Sequence, residues 1–155
     1  MDDKQTGENV IGTIAEISKI HNKDKEVKFI VAIGNNQLRQ KIFKQYRELI
    51  NYIAIHPSAI VSNTAKIGNG TMIGAGTIIN ANTVIEDNCI INTGSIVEHD
   101  CYIKEGAHLS YRTTVGAGTE IGKLAYLELG TIVDRNVKIQ DEENTQIGSI
   151  IRRKV

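Results

Sequence analysis

A histidine between two carboxylates, Glu98-His99-Asp100, is the place in this chain where neighbouring side chains most directly suggest proton transfer. A carboxylate beside an imidazole can fix its tautomer and strengthen it as a base, which is what general-base catalysis requires. The competing reading of these three residues is an ordinary solvated turn. A second histidine, His108, follows nine residues later, and alone it reads equally well as a surface turn residue. Cys89 and Cys101 are the chain's two thiols, and their placement does not suggest a disulfide framework.

The elements that position these residues are set by a repeat. Every sixth residue from Val61 to Ile139 is Ile, Val or Leu, and the position four residues after each is small or compact up to Val137. A period of six is neither helical nor alternating. It suits a chain that turns a corner after each short strand and points one aliphatic side chain inward per side. Three hexads close one triangular coil, so residues 18 apart should stack and each coil should depend on its neighbours. His99 and His108 are then half a coil apart. They cannot share a face of one chain, but they can approach one another across a boundary between chains. Both cysteines fall on inward corners, which argues against a nucleophilic role.

Composition narrows the function classes. The chain has 155 residues, with 18 basic and 18 acidic side chains and no net charge, so nothing recommends nucleic acid or an anionic membrane. The amino terminus has neither the charge nor the apolar run of a secretory signal, and no stretch approaches a membrane span. A cytoplasmic protein is expected.

Ahead of the repeat, residues 28–33 read as a buried strand, closed by Gly34-Asn35-Asn36. Helical spacing follows over 37–50 with Asn35 or Asn36 as N-cap, then a second strand over 52–55, with an earlier helix near 14–20. This order predicts half of a nucleotide-binding α/β layer, whose turn after the first strand would offer backbone N–H groups to a phosphate or sugar hydroxyl. The division expected is 1–56 for this segment and 57–155 for the repeat.

Four stretches carry a family resemblance: residues 29–36 (Phe-Ile-Val-Ala-Ile-Gly-Asn-Asn) with Arg39, 55–59 (Ile-His-Pro-Ser-Ala), 91–101 (Ile-Asn-Thr-Gly-Ser-Ile-Val-Glu-His-Asp-Cys) and 107–110 (Ala-His-Leu-Ser). Through them the chain resembles the hexapeptide-repeat sugar acyltransferases grouped with sialic acid O-acetyltransferases and UDP-4-amino-sugar N-acetyltransferases. The resemblance implies a mainly β fold, a left-handed parallel β-helix with a small, truncated N-terminal α/β segment. It implies homotrimers, with acetyl-CoA lying between adjacent β-helices, a nucleotide sugar held by the N-terminal segment, and no metal. His99 becomes the base that deprotonates the acceptor amine or hydroxyl, and Asp100 the acid that supports it, with Glu98 as a second candidate. Asn92 orients the acceptor, and His108 contacts acetyl-CoA. Gly116 and Ala117 lie one coil beyond Glu98 and His99, and the Ala117 N–H stands ready for the thioester oxygen and the oxyanion that follows. Leu129 and Ile147 match the pantetheine and adenine path. Gly34 and Asn35 match sugar-nucleotide contacts, and Asp2 and Asp3 resemble an acidic pair near uridine.

Three departures from that family are visible. The usual opening strand and Gly-Gly-His turn are not present, Ala117 replaces a common glycine, and the hexad register is expected to slip over 141–144. A trimeric scaffold that has lost activity is therefore the alternative to an enzyme. A zinc hydratase on the same fold would need three converging histidines, whereas His21, His56, His99 and His108 lack the paired spacing of that family.

Overall fold

In the computed structural model, residue 10 and residues 12–153 are described; the expectation for Asp2 and Asp3 falls outside them. Two-residue parallel strands, separated by four-residue corners, build three sheets that wrap into a triangular β-helix. Face A carries the rungs Ala54–Ile55, Met72–Ile73, Ile90–Ile91, His108–Leu109 and Tyr126–Leu127. Face B runs from Ile60–Val61 through Ile78–Ile79, Ile96–Val97, Thr114–Val115 and Ile132–Val133 to Ile150–Ile151. Face C carries Lys66–Ile67, Val84–Ile85, Tyr102–Ile103, Glu120–Ile121 and Lys138–Ile139. Every ladder pairs residues 18 apart, as the sequence period demands.

The second residue of each rung points inward. From Ile73 to Ile139 these side chains are at most 3% exposed, each stabilising the stack by roughly 1.5–3 kcal/mol. The corners are held by small side chains that bond upward. Thr71, Thr77 and Thr83 donate their hydroxyls to the carbonyls of Glu86, Asn92 and Glu98 at 3.0, 3.1 and 2.7 Å. Cys89 and Cys101 occupy the same place, with Sγ 3.2 and 3.3 Å from the carbonyls of Lys104 and Gly116. Burial pushes the Cys89 thiol up to about 12, and the Cys101 thiol is raised for the same reason. Both sulfurs are therefore structural.

The expected strand over 28–33 does not form. A strand needs a neighbour to satisfy its backbone groups, and among the described residues none runs beside it. The chain is extended there, and Phe29, Val31 and Ile33 pack with Ile42, Phe43 and Ile50 in a second small core. Of the strand expected over 52–55, only Ala54–Ile55 forms, and it pairs with Met72–Ile73 as the first rung of face A. The helices are present. A 3₁₀ turn Ile14–Glu16 leads into α1 (Ile17–Lys23), and α2 (Asn36–Gln45) is followed by the 3₁₀ turn Arg47–Leu49. Asn35 caps α2, accepting from the Leu38 N–H at 2.9 Å. Among the described residues no helix is long and apolar enough to cross a membrane.

The register does not slip over 141–144. Thr145 stands where an aliphatic residue is due, so face A shrinks there to the single bridge Tyr126↔Asn144, yet Ile150–Ile151 still pair with Ile132–Val133. The Thr145 hydroxyl lies 2.9 Å from that of Thr131 and accepts from the Glu128 N–H at 2.8 Å, which keeps a polar side chain compatible with the ladder.

Candidate active site

The first residue of each rung points outward, and the three faces differ sharply. Face B presents Ile60, Ile78, Ile96, Thr114, Ile132 and Ile150, with Ile60 66% and Ile150 61% exposed. Face C is charged, with Glu120 bridging Lys104 at 2.6 Å and Lys138 at 3.1 Å. Face A is roofed by the N-terminal segment, which encloses a cavity of about 640 Å³ against Met72, Ile90 and His108, with Gly34 and Tyr52 from the roof. That volume is in the range of small-molecule sites. Asn92, Thr93 and Tyr111, from the edge between faces A and B, also line it.

His99 lies elsewhere, in the turn between Ile96–Val97 and Tyr102–Ile103, on the edge between faces B and C. Its side chain is 58% exposed, and Nδ1 is 2.7 Å from Asp100 Oδ2. The pairing has sequence-local causes. Asp100 holds φ +58°, a left-handed conformation that Asp and Asn tolerate better than most residues. Its backbone is clamped from both adjacent coils: the Asp100 N–H donates to Ala81 at 3.0 Å, and the His99 carbonyl accepts from Gly118 at 3.0 Å. The second Asp100 oxygen accepts from Asn82 Nδ2 at 3.1 Å. These bonds, the one to His99 foremost, hold the Asp100 carboxyl below its ordinary range. An ionised Asp100 accepts the Nδ1–H, which leaves Nε2 as the ring's free lone pair.

Glu98 does not join this pair; its Oε2 accepts from Asn80 Nδ2 at 3.2 Å. Gly116 and Ala117 lie one coil above on the same edge. A side chain at Gly116 would run into the Arg135 amide nitrogen at 2.6 Å, so this position is tied to close coil packing. The Ala117 carbonyl accepts from the Asn136 N–H at 2.9 Å, while its own N–H has no bond among the described residues. Leu129 and Ile147, 40% and 71% exposed, stack above Tyr111 on the edge between faces A and B, where the Gly148 N–H donates to the Leu129 carbonyl at 2.8 Å.

The expected site residues thus fall into two groups on the two edges that flank face B. One edge bears Glu98, His99, Asp100, Gly116 and Ala117. The other bears Asn92, Leu129 and Ile147, and beside it lies the cavity with Gly34. Asn92 and His99 belong to the same coil, so they sit at one level along the helix axis. Asn35 is spent on capping α2 and lines a smaller cavity with Tyr126 and Asn144.

His108 is not a surface turn residue. It begins a face A rung, is 6% exposed, and lies edge-on to Tyr126 with centroids 4.6 Å apart. Its Nδ1–H donates to the Gly34 carbonyl at 3.3 Å, and its buried Nε2 has no partner among the described residues. Burial, reinforced by the nearby Arg39 charge, lowers its pKa to about 4. That is below the ~6.5 of a free imidazole, so the unfolded chain binds more protons between those values and stability should fall as pH drops from about 6.5 towards 4. The urea midpoint of the wild type is expected to fall further between pH 7 and pH 5 than that of His108→Asn. Equal falls would show that burial leaves this imidazole unperturbed.

Sequence reasoning missed Asn82 and the cavity residues Tyr52, Met72, Thr93 and Tyr111. The signals were available: Asn82 is Asp100 minus one coil, and Met72 is His108 minus two. Among the described residues no three His, Cys, Asp or Glu side chains gather as metal ligands would.

Comparison with known proteins bears on this geometry. The family model for the GMPPB C-terminal domain matches residues 49–154, and that for the PglD N-terminal domain matches residues 1–46. PerB from Caulobacter crescentus, solved with CoA and GDP-perosamine, is 33% identical over 99% of this chain and 75% of its own, with a TM-score of 0.91. A mutant of GDP-perosamine N-acetyl transferase from the same organism, with the same ligands, is 32% identical over 99% of this chain and 75% of its own, with a TM-score of 0.92. The acetyltransferase domain of PglB from Neisseria gonorrhoeae, solved with acetyl coenzyme A, is 29% identical over 97% of this chain and 78% of its own, with a TM-score of 0.65.

Proposed function

The chain belongs to the hexapeptide-repeat sugar acyltransferase family, its residues 49–154 forming a GMPPB C-terminal domain, and we propose that it moves an acetyl group from acetyl-CoA to the amino group of a nucleotide sugar. The observation that carries this reading is the His99–Asp100 pair, 2.7 Å apart, on a coil level shared with Asn92 at the rim of the cavity. Two of the structures named above hold CoA and GDP-perosamine, which favours an amine over a hydroxyl as acceptor.

The split between two edges is resolved by a homotrimer. On face B Ile60, Ile132 and Ile150 are exposed and Ile78 and Ile96 half-buried, an apolar strip that is a cost in water and asks for cover. Three chains related by a rotation about an axis parallel to their coils cover it head-to-tail. The cavity edge of one chain then meets the His99 edge of the next at the same level. In that arrangement residues 1–56 hold the nucleotide sugar and residues 57–155 carry the acyl transfer.

Bound acetyl-CoA would supply an activated acetyl group, its C–S bond breaking as the new C–N bond forms and CoA leaving as the thiol with the proton that His99 takes from the acceptor. The residues present fit it: Leu129 and Ile147 offer an apolar ledge along one edge, and the Ala117 N–H on the other has no partner among the described residues. His99 Nε2 takes the proton from the acceptor nitrogen, Asp100 holds the opposite ring nitrogen protonated, and the Ala117 N–H donates to the oxygen on which charge develops. Asn92 orients the acceptor at the rim of the cavity, and His108 contacts the acetyl-CoA. Neither thiol takes part, and both suit a reducing cytoplasm.

The test is to incubate the protein with acetyl-CoA and GDP-perosamine or a UDP-4-amino sugar and weigh the sugar product. A gain of one acetyl group that survives hydroxylamine marks an amide. A hydroxylamine-labile acetyl marks an ester and transfers the reading to a hydroxyl acceptor. No acetylated product from any amino-sugar nucleotide would remove it.

A further inference from the structure

We propose that Asn82 is a positioning residue for the reaction: one coil below the base, it holds Asp100 in the orientation that keeps His99 as the Nδ1–H tautomer. The inference rests on the reading of His99 as the base and deepens it.

The geometry is a column along the edge between faces B and C. Asn82 and Asp100 are 18 residues apart and share the same left-handed backbone, φ +59° and +58°. Their side chains therefore leave the chain in parallel directions, one above the other. Asn82 Nδ2 donates to Asp100 Oδ1 at 3.1 Å, which leaves Oδ2 turned to His99 Nδ1 at 2.7 Å. Asn82 is itself anchored from below, its backbone N–H donating to Thr64 Oγ1 at 2.9 Å, and the Thr64 hydroxyl lies 3.1 Å from that of Ser62. Above Asp100 position 118 is glycine, and the Asn136 side chain, whose Oδ1 reaches into the space a Cβ there would fill, makes no hydrogen bond to Asp100. Among the described residues Asn82 is thus the one side chain besides His99 that donates to this carboxylate.

The chemistry makes that contact matter. In water a neutral imidazole has no carboxylate to hold the proton on Nδ1, and both tautomers are populated. A base that must accept at Nε2 is useful only when the proton sits on Nδ1. An exposed carboxylate with one free oxygen can rotate about its own bonds, so a fixed donor on that oxygen lowers the entropy cost of each productive alignment. An amide can donate here, while an aspartate in the same place could not and would repel Asp100.

The test uses the full chain labelled with ¹⁵N at its histidines, with long-range ¹H–¹⁵N spectra reading the His99 tautomer, assigned through loss of its signals in His99→Ala. Asn82→Gly keeps the left-handed backbone and removes the donor. Wild type should show the Nδ1–H form, Asp100→Ala should show mainly the Nε2–H form, and Asn82→Gly should be intermediate. In acetyl transfer from acetyl-CoA to GDP-perosamine, Asn82→Gly should lower kcat about 10-fold with KM for acetyl-CoA unchanged, and should add no further loss in an Asp100→Ala background. A His99 tautomer in Asn82→Gly indistinguishable from wild type would overturn the proposal. A kcat loss as large with Asp100→Ala as without it would do the same, because the residue would then act by another route. Full activity in His99→Ala is a different failure: it removes the base, and this inference with it.

Discussion

Replacing His99 by alanine is expected to lower kcat for acetyl transfer by roughly 10²–10⁴-fold, the span that positioned proton transfer contributes, without loosening the fold. The side chain is 58% exposed and lies outside the aliphatic ladder, so nothing in the stack depends on it. The backbone bonds that clamp its turn, from Asp100 to Ala81 and from Gly118 to His99, involve main-chain atoms that alanine retains. Thermal midpoint and oligomer size should therefore match wild type while turnover collapses. Sharing of the site between chains adds a sharper consequence. Ala75 lines the cavity on the edge between faces A and B, and a bulky block there, Ala75→Trp, should silence a homo-oligomer without touching His99. Co-assembly of His99→Ala chains with Ala75→Trp chains should restore part of the activity, since some sites then pair an intact edge with an intact edge. Turnover in His99→Ala equal to wild type would exclude the base, and a mixture as silent as its parents would confine the site to one chain.

How far the sequence could be read follows from which forces are periodic. The inward ladder was legible residue by residue, because burial selects Ile, Val and Leu at a fixed spacing and the corners select Thr, Ser, Ala and Cys. The outward residue of each rung was just as regular and carries the functional division. Ile60, Ile78, Ile96, Ile132 and Ile150 mark the face that needs cover, while Lys66, Glu120 and Lys138 mark one that does not. Residues 28–33 were misread because an apolar run shows that a segment is buried and leaves open what it pairs with; Val31 is buried against α2 and not in a sheet. His108 could be weighed only as a surface residue or a ligand contact, since its burial is imposed by a roof whose contact residue, Gly34, lies 74 residues earlier in the chain. The pairing of His99 with Asp100 was visible from adjacency. The support from Asn82 was hidden in the 18-residue period.

Removing Arg39 should detach the roof from the β-helix, and the expected effect is about 3 kcal/mol or more on the N-terminal segment, because several buried oxygens lose their donor at roughly 1–3 kcal/mol each. Arg39 is fully buried on α2, and its partners are all neutral oxygens. Nε donates to the Asn88 carbonyl at 3.1 Å, Nη1 to Ile33 and Gly34 at 2.9 and 3.2 Å, and Nη2 to Asn36 Oδ1 and the Gly106 carbonyl at 2.9 and 2.7 Å. Desolvation lowers its pKa to about 10, so the guanidinium stays charged at neutral pH. One planar fork thus ties the chain before α2, the helix itself, and two successive corners of the β-helix at Asn88 and Gly106. Asn36 adds bonds to the Leu124 and Ala125 carbonyls at 2.8 and 3.2 Å, which continues the seam one coil further. Arg39→Met fills similar volume but leaves four acceptors unpaired and the Gly34 carbonyl with His108 alone, and Arg39→Lys offers a point charge that cannot reach all three directions. In either variant amide exchange over residues 29–50 should accelerate by roughly 10²-fold or more, given ~1.4 kcal/mol per factor of ten. Residues 73–139 should keep their protection, because their ladder makes no use of this side chain. The Gly34 carbonyl would then lose its place against His108, and KM for the nucleotide sugar should rise more than KM for acetyl-CoA. Uniform loss of protection across both regions would mean that roof and β-helix unfold as one unit, and unchanged exchange over 29–50 would mean that the small apolar core around Phe43 holds the roof without the guanidinium.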